Sequence, residues 1–483
     1  MSAGDLGIMG TLPEASLFTF PPTQVPAPLP PAATPLSLMR PFNIPHVLFS
    51  AALDPKVPLT IAALYAISAK AFNKYNRSRN KTPWAVSKTR AFSIFVVLHN
   101  VFLALYSAWT FWGMLGGMRR SIVSPGGPGG LAATVDSFCR IHGPPGLGRS
   151  VHYNETSGRW DSADTTVLAD ALDAAGPRSS QMGRMWTEGL AYYGWIFYLS
   201  KFYEVLDTFI ILAKGKYSST LQTYHHAGAM MCMWAGMRYM SAPIWMFVLV
   251  NSFIHALMYT YYTLTAFSIK VPMAIKRTLT TMQITQFLVG ASYAMAHSFV
   301  TYIVPVTVTR VVPASVPEPA VLADPVIPHT GGTFDALKRL IFGAPSPSMA
   351  APAATVMAEP VIITETAYME QPCIGTAGET FAIWLNVLYL APLTYLFVSF
   401  FIASYVKRSN AAQKAVGKPR HSESNVAMAE KAGWDAARSM EREVYGGESM
   451  SDENGKHSTV ANGVSKKATG KAKGSSHGAK GSH

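Results

Sequence analysis

The chain has 483 residues, carries a formal net charge of +13, and is 49% hydrophobic against only 14% charged. That balance argues against a soluble multidomain protein and for a multi-span membrane protein with polar ends. The excess of positive charge does not indicate a nucleic-acid binder, because the basic residues fall in short loops and in the tail, without an aromatic-interleaved basic patch.

Residues 1–43 are rich in proline, so they read as a disordered N-terminus, and they lack the basic and apolar regions of a cleavable signal. The first span is expected at 57–72 and the second at 91–114. Between them Lys74, Arg77, Arg79, Lys81, Lys88 and Arg90 form a basic loop, which the positive-inside rule places in the cytosol. The Gly- and Pro-rich segment 118–187 then reads as a largely disordered lumenal insertion carrying a glycosylation sequon at Asn154.

Four more spans are expected at 188–213, about 222–240, 242–267 and 278–306, followed by a second disordered lumenal insertion at 307–378. A last span at 380–406 precedes a basic, low-complexity cytosolic tail at 407–483. The expected fold is therefore all-α, with seven transmembrane helices over 44–406, a lumenal N-terminus and a cytosolic C-terminus. Cys139, Cys232 and Cys373 lack CxxC or zinc-finger spacing, so no structural metal is expected. On this topology Cys139 and Cys373 both fall in lumenal loops, which leaves a bridge between them open.

The chemistry concentrates at 199–226. Lys201, Glu204 and Asp207 recur every three residues, which places them in one sector of an otherwise apolar helix. A charge at the bilayer centre costs about 2.5–3.5 kcal/mol on insertion scales, so this sector must face protein or a wet cavity. A structural ion pair between Lys201 and Glu204 is the plain alternative, but it does not explain His225 and His226 close behind. Asn251, His255, Tyr259 and Tyr262 follow i, i+4, i+8, i+11 on one face of the fifth span, and Gln283 and Gln286 lie at i, i+3 on the sixth. Helix rise puts Asp207 and Gln283 on the order of 10 Å inside the cytosolic boundary. Polar stripes at one depth on several spans imply a chamber open to the cytosol. His99, Asn100 and His297 are read as hydrogen-bonding spacers between helices.

Four stretches occur in order: Lys201-Phe-Tyr-Glu-Val-Leu-Asp-Thr208, Gln222-Thr-Tyr-His-His226, Asn251-Ser-Phe-Ile-His-Ala-Leu-Met-Tyr-Thr-Tyr-Tyr262 and Thr281-Met-Gln-Ile-Thr-Gln-Phe287. Together they closely resemble the signature boxes of the ELO family of fatty acid elongases. The resemblance implies a seven-span endoplasmic reticulum enzyme that condenses acyl-CoA with malonyl-CoA to 3-oxoacyl-CoA, CO2 and CoA, without a metal or other cofactor. The partners it implies are membrane lipid, the 3-oxoacyl-CoA reductase, dehydratase and enoyl reductase of the elongation cycle, and a second copy in a homodimer. By resemblance His225 takes the acyl chain, His255 faces it and His226 assists. Glu204 and Asp207 are expected to fix imidazole tautomers, Lys201 to hold substrate anions, and Gln283 and Gln286 to donate to thioester oxygens. The family box usually begins with histidine, and here Gln222 stands in its place.

Two other classes compete. A membrane di-iron desaturase or hydroxylase also uses histidine boxes, but His99, His225, His226, His255 and His297 are too few for its repeated ligand sets. A seven-span transporter or receptor would line a solute path with the same stripes and would not turn over malonyl-CoA.

Overall fold

The computed structural model describes residues 7–22, 25–173, 176–312 and 361–402. Within them the chain is mostly helical. A short strand β1 (Ile8–Gly10) comes first, then α1 (His46–Ala52) and α2 (Lys56–Ser78), bent by 50° against each other. Thr89 accepts from the backbone N–H of Phe92 and so caps α3 (Arg90–Ser121), satisfying one of the donors that every helix start leaves without a partner. Helix α4 (Gly130–Cys139) and the hairpin β2 (Val151–Asn154) and β3 (Arg159–Ser162) follow.

A π-helical stretch, Trp186–Gly194, leads into α5 (Trp195–Tyr203) and α6 (Val205–Ala213), which break at Glu204. Ser219 caps α7 (Thr220–Arg238) through the N–H of Gln222. A second π-helical stretch, Phe247–Asn251, precedes α8 (Ser252–Ala266). Next come α9 (Met273–His297), strands β4 (Val300–Val312) and β5 (Val361–Pro372), and α10 (Ala377–Phe401), whose start is a Thr376–Glu379 capping box.

Among the described residues three helices are long and apolar enough to cross a membrane: Arg90–Ser121, Ile244–Ala266 and Ala377–Ser399. The bent pair α1 and α2 makes a fourth if it forms one span. This is an integral, polytopic membrane protein. Between helices in a bilayer, close packing rather than water exclusion supplies cohesion. Gly117 illustrates it, because a Cβ there would lie 3.1 Å from the carbonyl oxygen of Glu188, so any side chain would push α3 and the π-helical stretch apart by a few tenths of an ångström. The main core is filled by Met114, Trp186, Leu190, Tyr198, Met233 and Val248.

Several expectations are corrected. Residues 7–22 and 25–43 are not a loose tail. Their carbonyls accept hydrogen bonds from the bundle, with Trp186 Nε1 donating to Leu29 O at 2.9 Å, Tyr193 OH to Met39 O at 2.9 Å and Tyr192 OH to Phe42 O at 3.0 Å. Proline favours extended chain, and extended chain exposes carbonyls that Trp and Tyr can bind.

The described residues of segment 118–187 are likewise structured. Buried Arg184 donates to the carbonyls of Pro144, Asp136, Arg140 and Gly146 and to the Asp136 carboxylate at 2.6 Å, and Tyr302 OH donates to the other oxygen of that carboxylate at 2.7 Å. The Gly-Pro-Pro-Gly run is a tight turn with Gly143 at φ 93° and Gly146 at φ 113°, positions that glycine alone adopts freely. A disulfide joins Cys139 to Cys373. The expected sixth span is too long at its end, since the helix stops at His297 and Val300, Thr301, Ile303, Val304 and Val306 begin a strand. β-branched residues suit a pleated surface as well as a membrane, and hydropathy does not tell them apart. That strand is central in the sheet β1-β4-β5, so the flanks of the 307–378 insertion pair with each other; its middle, like the tail, lies outside the described residues. By connectivity these pieces form one cap at the end of the bundle where α3 and α9 finish and α10 begins.

Candidate active site

The i, i+3 spacing of Lys201, Glu204 and Asp207 holds, but the break at Glu204 splits them between two networks. In the first, Lys201 Nζ donates to Glu204 Oε1 at 2.7 Å and to Asn251 Oδ1 at 3.2 Å, and Ser200 Oγ donates to the same carboxylate oxygen at 3.0 Å. His255 Nδ1 lies 3.7 Å from that oxygen, and Asn251 Nδ2 reaches Gln286 Oε1 at 3.4 Å. The Lys201 and Glu204 side chains are 5% and 4% exposed. A buried pair of this kind persists only when further hydrogen bonds surround it, which Ser200 and Asn251 supply.

In the second network the Asp207 carboxylate is shared. His99 Nε2 lies 2.7 Å from Oδ1, and Tyr259 OH donates to Oδ2 at 2.6 Å. His99, read from sequence as a spacer, is therefore a direct partner of a signature carboxylate. Its ring also stacks on Tyr203 at 5.3 Å. The imidazole that Asp207 meets is that of His99 on α3, and its other carboxylate oxygen is engaged by Tyr259 on α8.

The histidine box opens α7. Gln222 Nε2 donates to Thr208 Oγ1 at 3.2 Å, and that hydroxyl is 2.9 Å from Tyr65 OH. His225 Nδ1 is 2.9 Å from the hydroxyl of Tyr389 on α10. His226 is buried, its ring 5.4 Å from that of His225 and edge-on to Tyr65 at 6.1 Å. His255 and Tyr259 are one turn apart with ring centroids at 5.7 Å, so α8 links the two charged networks.

Gln283 and Tyr262 make other contacts. Gln283 Nε2 contacts Met258 Sδ at 3.4 Å, and the Tyr262 ring packs edge-on to Tyr259 at 5.8 Å. His297 binds the Tyr293 carbonyl one turn back at 2.9 Å. A cavity of about 660 Å3 opens between α8 and α9, walled by Val250, Phe253, Thr285 and Val289 and touching Gln286. It falls within the roughly 300–1,000 Å3 typical of ligand sites. No periodicity in the sequence singles out His99 or Tyr389; each is recognised only through the helix it faces.

The sequence profile of the GNS1/SUR4 family, ELO, matches residues 50–413. The chain belongs to the ELO family. Among curated ELO relatives it is 35% identical over 108 residues to fatty acid elongase 2 of Trypanosoma brucei brucei, covering 22% of this chain and 40% of that protein. It is 38% identical over 105 residues to fatty acid elongase A of Dictyostelium discoideum, covering 22% and 38%. It is 35% identical over 100 residues to very long chain fatty acid elongase 3 of Homo sapiens, covering 21% and 37%. The matched stretch spans about two fifths of the length of these ELO relatives. No solved structure matches.

Proposed function

We propose that this protein is the condensing enzyme of fatty acid elongation, joining an acyl-CoA to malonyl-CoA to give 3-oxoacyl-CoA, CO2 and CoA. The observation that carries this reading is the grouping of buried His226 and His255 and half-buried His225 with the buried Lys201–Glu204 pair, in a chain whose family relatives are named fatty acid elongases. The apolar cavity touching Gln286 suits a substrate with a long hydrocarbon chain. The finer reading is of seven spans in the endoplasmic reticulum membrane, with the cap lumenal and the basic loops cytosolic. The disulfide within the cap agrees with an oxidising compartment.

In the first half of the reaction an imidazole nitrogen of His225 attacks the thioester carbonyl carbon, the C–S bond breaks, and CoA leaves as a thiolate that takes a proton from water. The acyl-imidazolium keeps the proton on its other nitrogen. Malonyl-CoA then loses CO2, and the resulting carbanion attacks the acyl carbon. The C–N bond breaks and neutral imidazole returns, so no net proton is demanded of the histidine. Lys201 holds the anionic groups of the substrates, while Asn251 and Gln286 supply hydrogen bonds to thioester oxygens. Gln283 is a third such donor once substrate displaces it from Met258. His255 and His226 complete the polar wall, with Tyr262 beside Tyr259.

The test is the order of events in purified protein. CoA is expected to appear from acyl-CoA alone, before malonyl-CoA is added, and turnover is expected to survive chelation and to consume no oxygen. His225→Ala abolishes this first CoA release. Release retained in a folded His225→Ala protein overturns His225 as the acyl carrier.

A further inference from the structure

We propose that Tyr389 is a positioning residue that fixes the tautomer of His225, holding the proton on Nδ1 and leaving Nε2 as the nucleophile. The inference rests on the elongase reading above and adds to it a residue from the last helix. Two contacts define the geometry. The Tyr389 hydroxyl is 2.9 Å from His225 Nδ1 and 2.9 Å from the His225 carbonyl oxygen. A phenol has one proton and the carbonyl has none, so the carbonyl contact is attractive only if Tyr389 donates to it. The hydroxyl then faces Nδ1 with a lone pair, and that contact is attractive only if Nδ1 carries a hydrogen. The opposite assignment, with the phenol donating to Nδ1, leaves two oxygen lone pairs opposed at 2.9 Å. Only one arrangement satisfies both contacts, and it puts the imidazole lone pair on Nε2.

The approach of the ring is built into the packing. Gly228 lies one turn beyond His225 on the same face of α7, and a side chain there would run into the Tyr389 ring. Tyr224 OH donates to the Tyr389 carbonyl at 3.1 Å, and the two rings lie 5.4 Å apart, which fixes α10 against α7 at this level. Tyr389 is itself buried. The contact serves chemistry as well as packing, because the acyl-imidazolium formed in the first half-reaction carries its charge on the ring whose Nδ1–H points at the Tyr389 oxygen.

The experiment uses the full-length protein with methylated histidines incorporated at position 225. Tyr389→Phe is expected to slow CoA release from acyl-CoA by about 5–30-fold, with KM for acyl-CoA little changed. Nδ1-methylhistidine at position 225 locks the lone pair on Nε2, and its methyl group takes the space the phenol oxygen vacates. In the Tyr389→Phe background it is expected to restore the rate of CoA release. A folded Tyr389→Phe protein that releases CoA at the wild-type rate, or one whose slow release Nδ1-methylhistidine fails to restore, overturns the proposal. Nε2-methylhistidine at position 225 in the otherwise wild-type protein separates the two levels. Loss of CoA release supports Nε2 as the acyl carrier, while retained release overturns the elongase mechanism at His225 and, with it, the role given to Tyr389.

Discussion

His99 offers a quantitative check on the Asp207 network. Its side chain is fully buried and lies 2.7 Å from Asp207, whose own side chain is 21% exposed. A hydrogen bond to a charged group contributes about 1.5–3 kcal/mol, and partial exposure of Asp207 argues for the lower end. Tyr259 still binds the other carboxylate oxygen when His99 is lost, so the carboxylate is weakened rather than orphaned. A coupling of about 1.4 kcal/mol corresponds to about tenfold in rate. His99→Leu and Asp207→Asn are each expected to slow CoA release from acyl-CoA by about tenfold, and the double variant by about the same factor instead of their product. First-turnover CoA release measured on all four proteins gives the coupling directly. Additivity within about 0.5 kcal/mol would refute the claim that His99 acts through Asp207.

Gln222→His is expected to keep measurable turnover, because the Gln222 amide bonds Thr208 and not the His225 ring; complete loss in a folded protein would give the glutamine an indispensable role. Arg184→Met strips a buried Asp136 of its cation and of the donor that gathers four cap carbonyls, at a cost of about 3–5 kcal/mol. Limited proteolysis within 118–187 should become rapid, and unchanged resistance would contradict the assignment. The cap should also weaken in acid. Burial pushes the His142 imidazole down to about 3, with Arg184 nearby adding to the effect, so the folded cap excludes a proton that the unfolded chain binds below about 6.5. Stability from this group is therefore complete above about pH 6.5 and is lost as pH falls toward 3, by about 2 kcal/mol at pH 5. The His142 ring lies against Trp160 and Trp186, so tryptophan fluorescence reports the transition. Burial also pushes the His152 imidazole, on β2 of the same cap, down to about 3, so His142→Phe should remove part of that acid dependence and leave the part that rests on His152; an unchanged profile would refute the role of His142.

Much of the site was legible because helical periodicity is a local property. The recurrence of Lys201, Glu204 and Asp207 and of Asn251, His255 and Tyr259 identifies which side chains share a face, and the cost of charge in a bilayer says that face is inward. The same reasoning located most of the helices, since apolar length needs no knowledge of neighbours. It went astray where one composition serves two structures. Proline and glycine read as disorder in 118–187, where Arg184, a disulfide and left-handed glycines build a folded cap. The β-branched run after His297 read as the end of a span and is a strand.

The family boxes and the inward polar stripes were thus set by the sequence alone. Which residues meet across helices was decided only by the tertiary structure. Asp207 bonds His99 and Tyr259, and His225 bonds Tyr389 from a helix 164 residues away. The reason is physical: spacing along a helix determines direction from its own axis, but a hydrogen bond of 2.6–2.9 Å depends on which other helix stands there and at what height. Those relations arise from packing between elements distant in the chain, and no periodicity within one element encodes them.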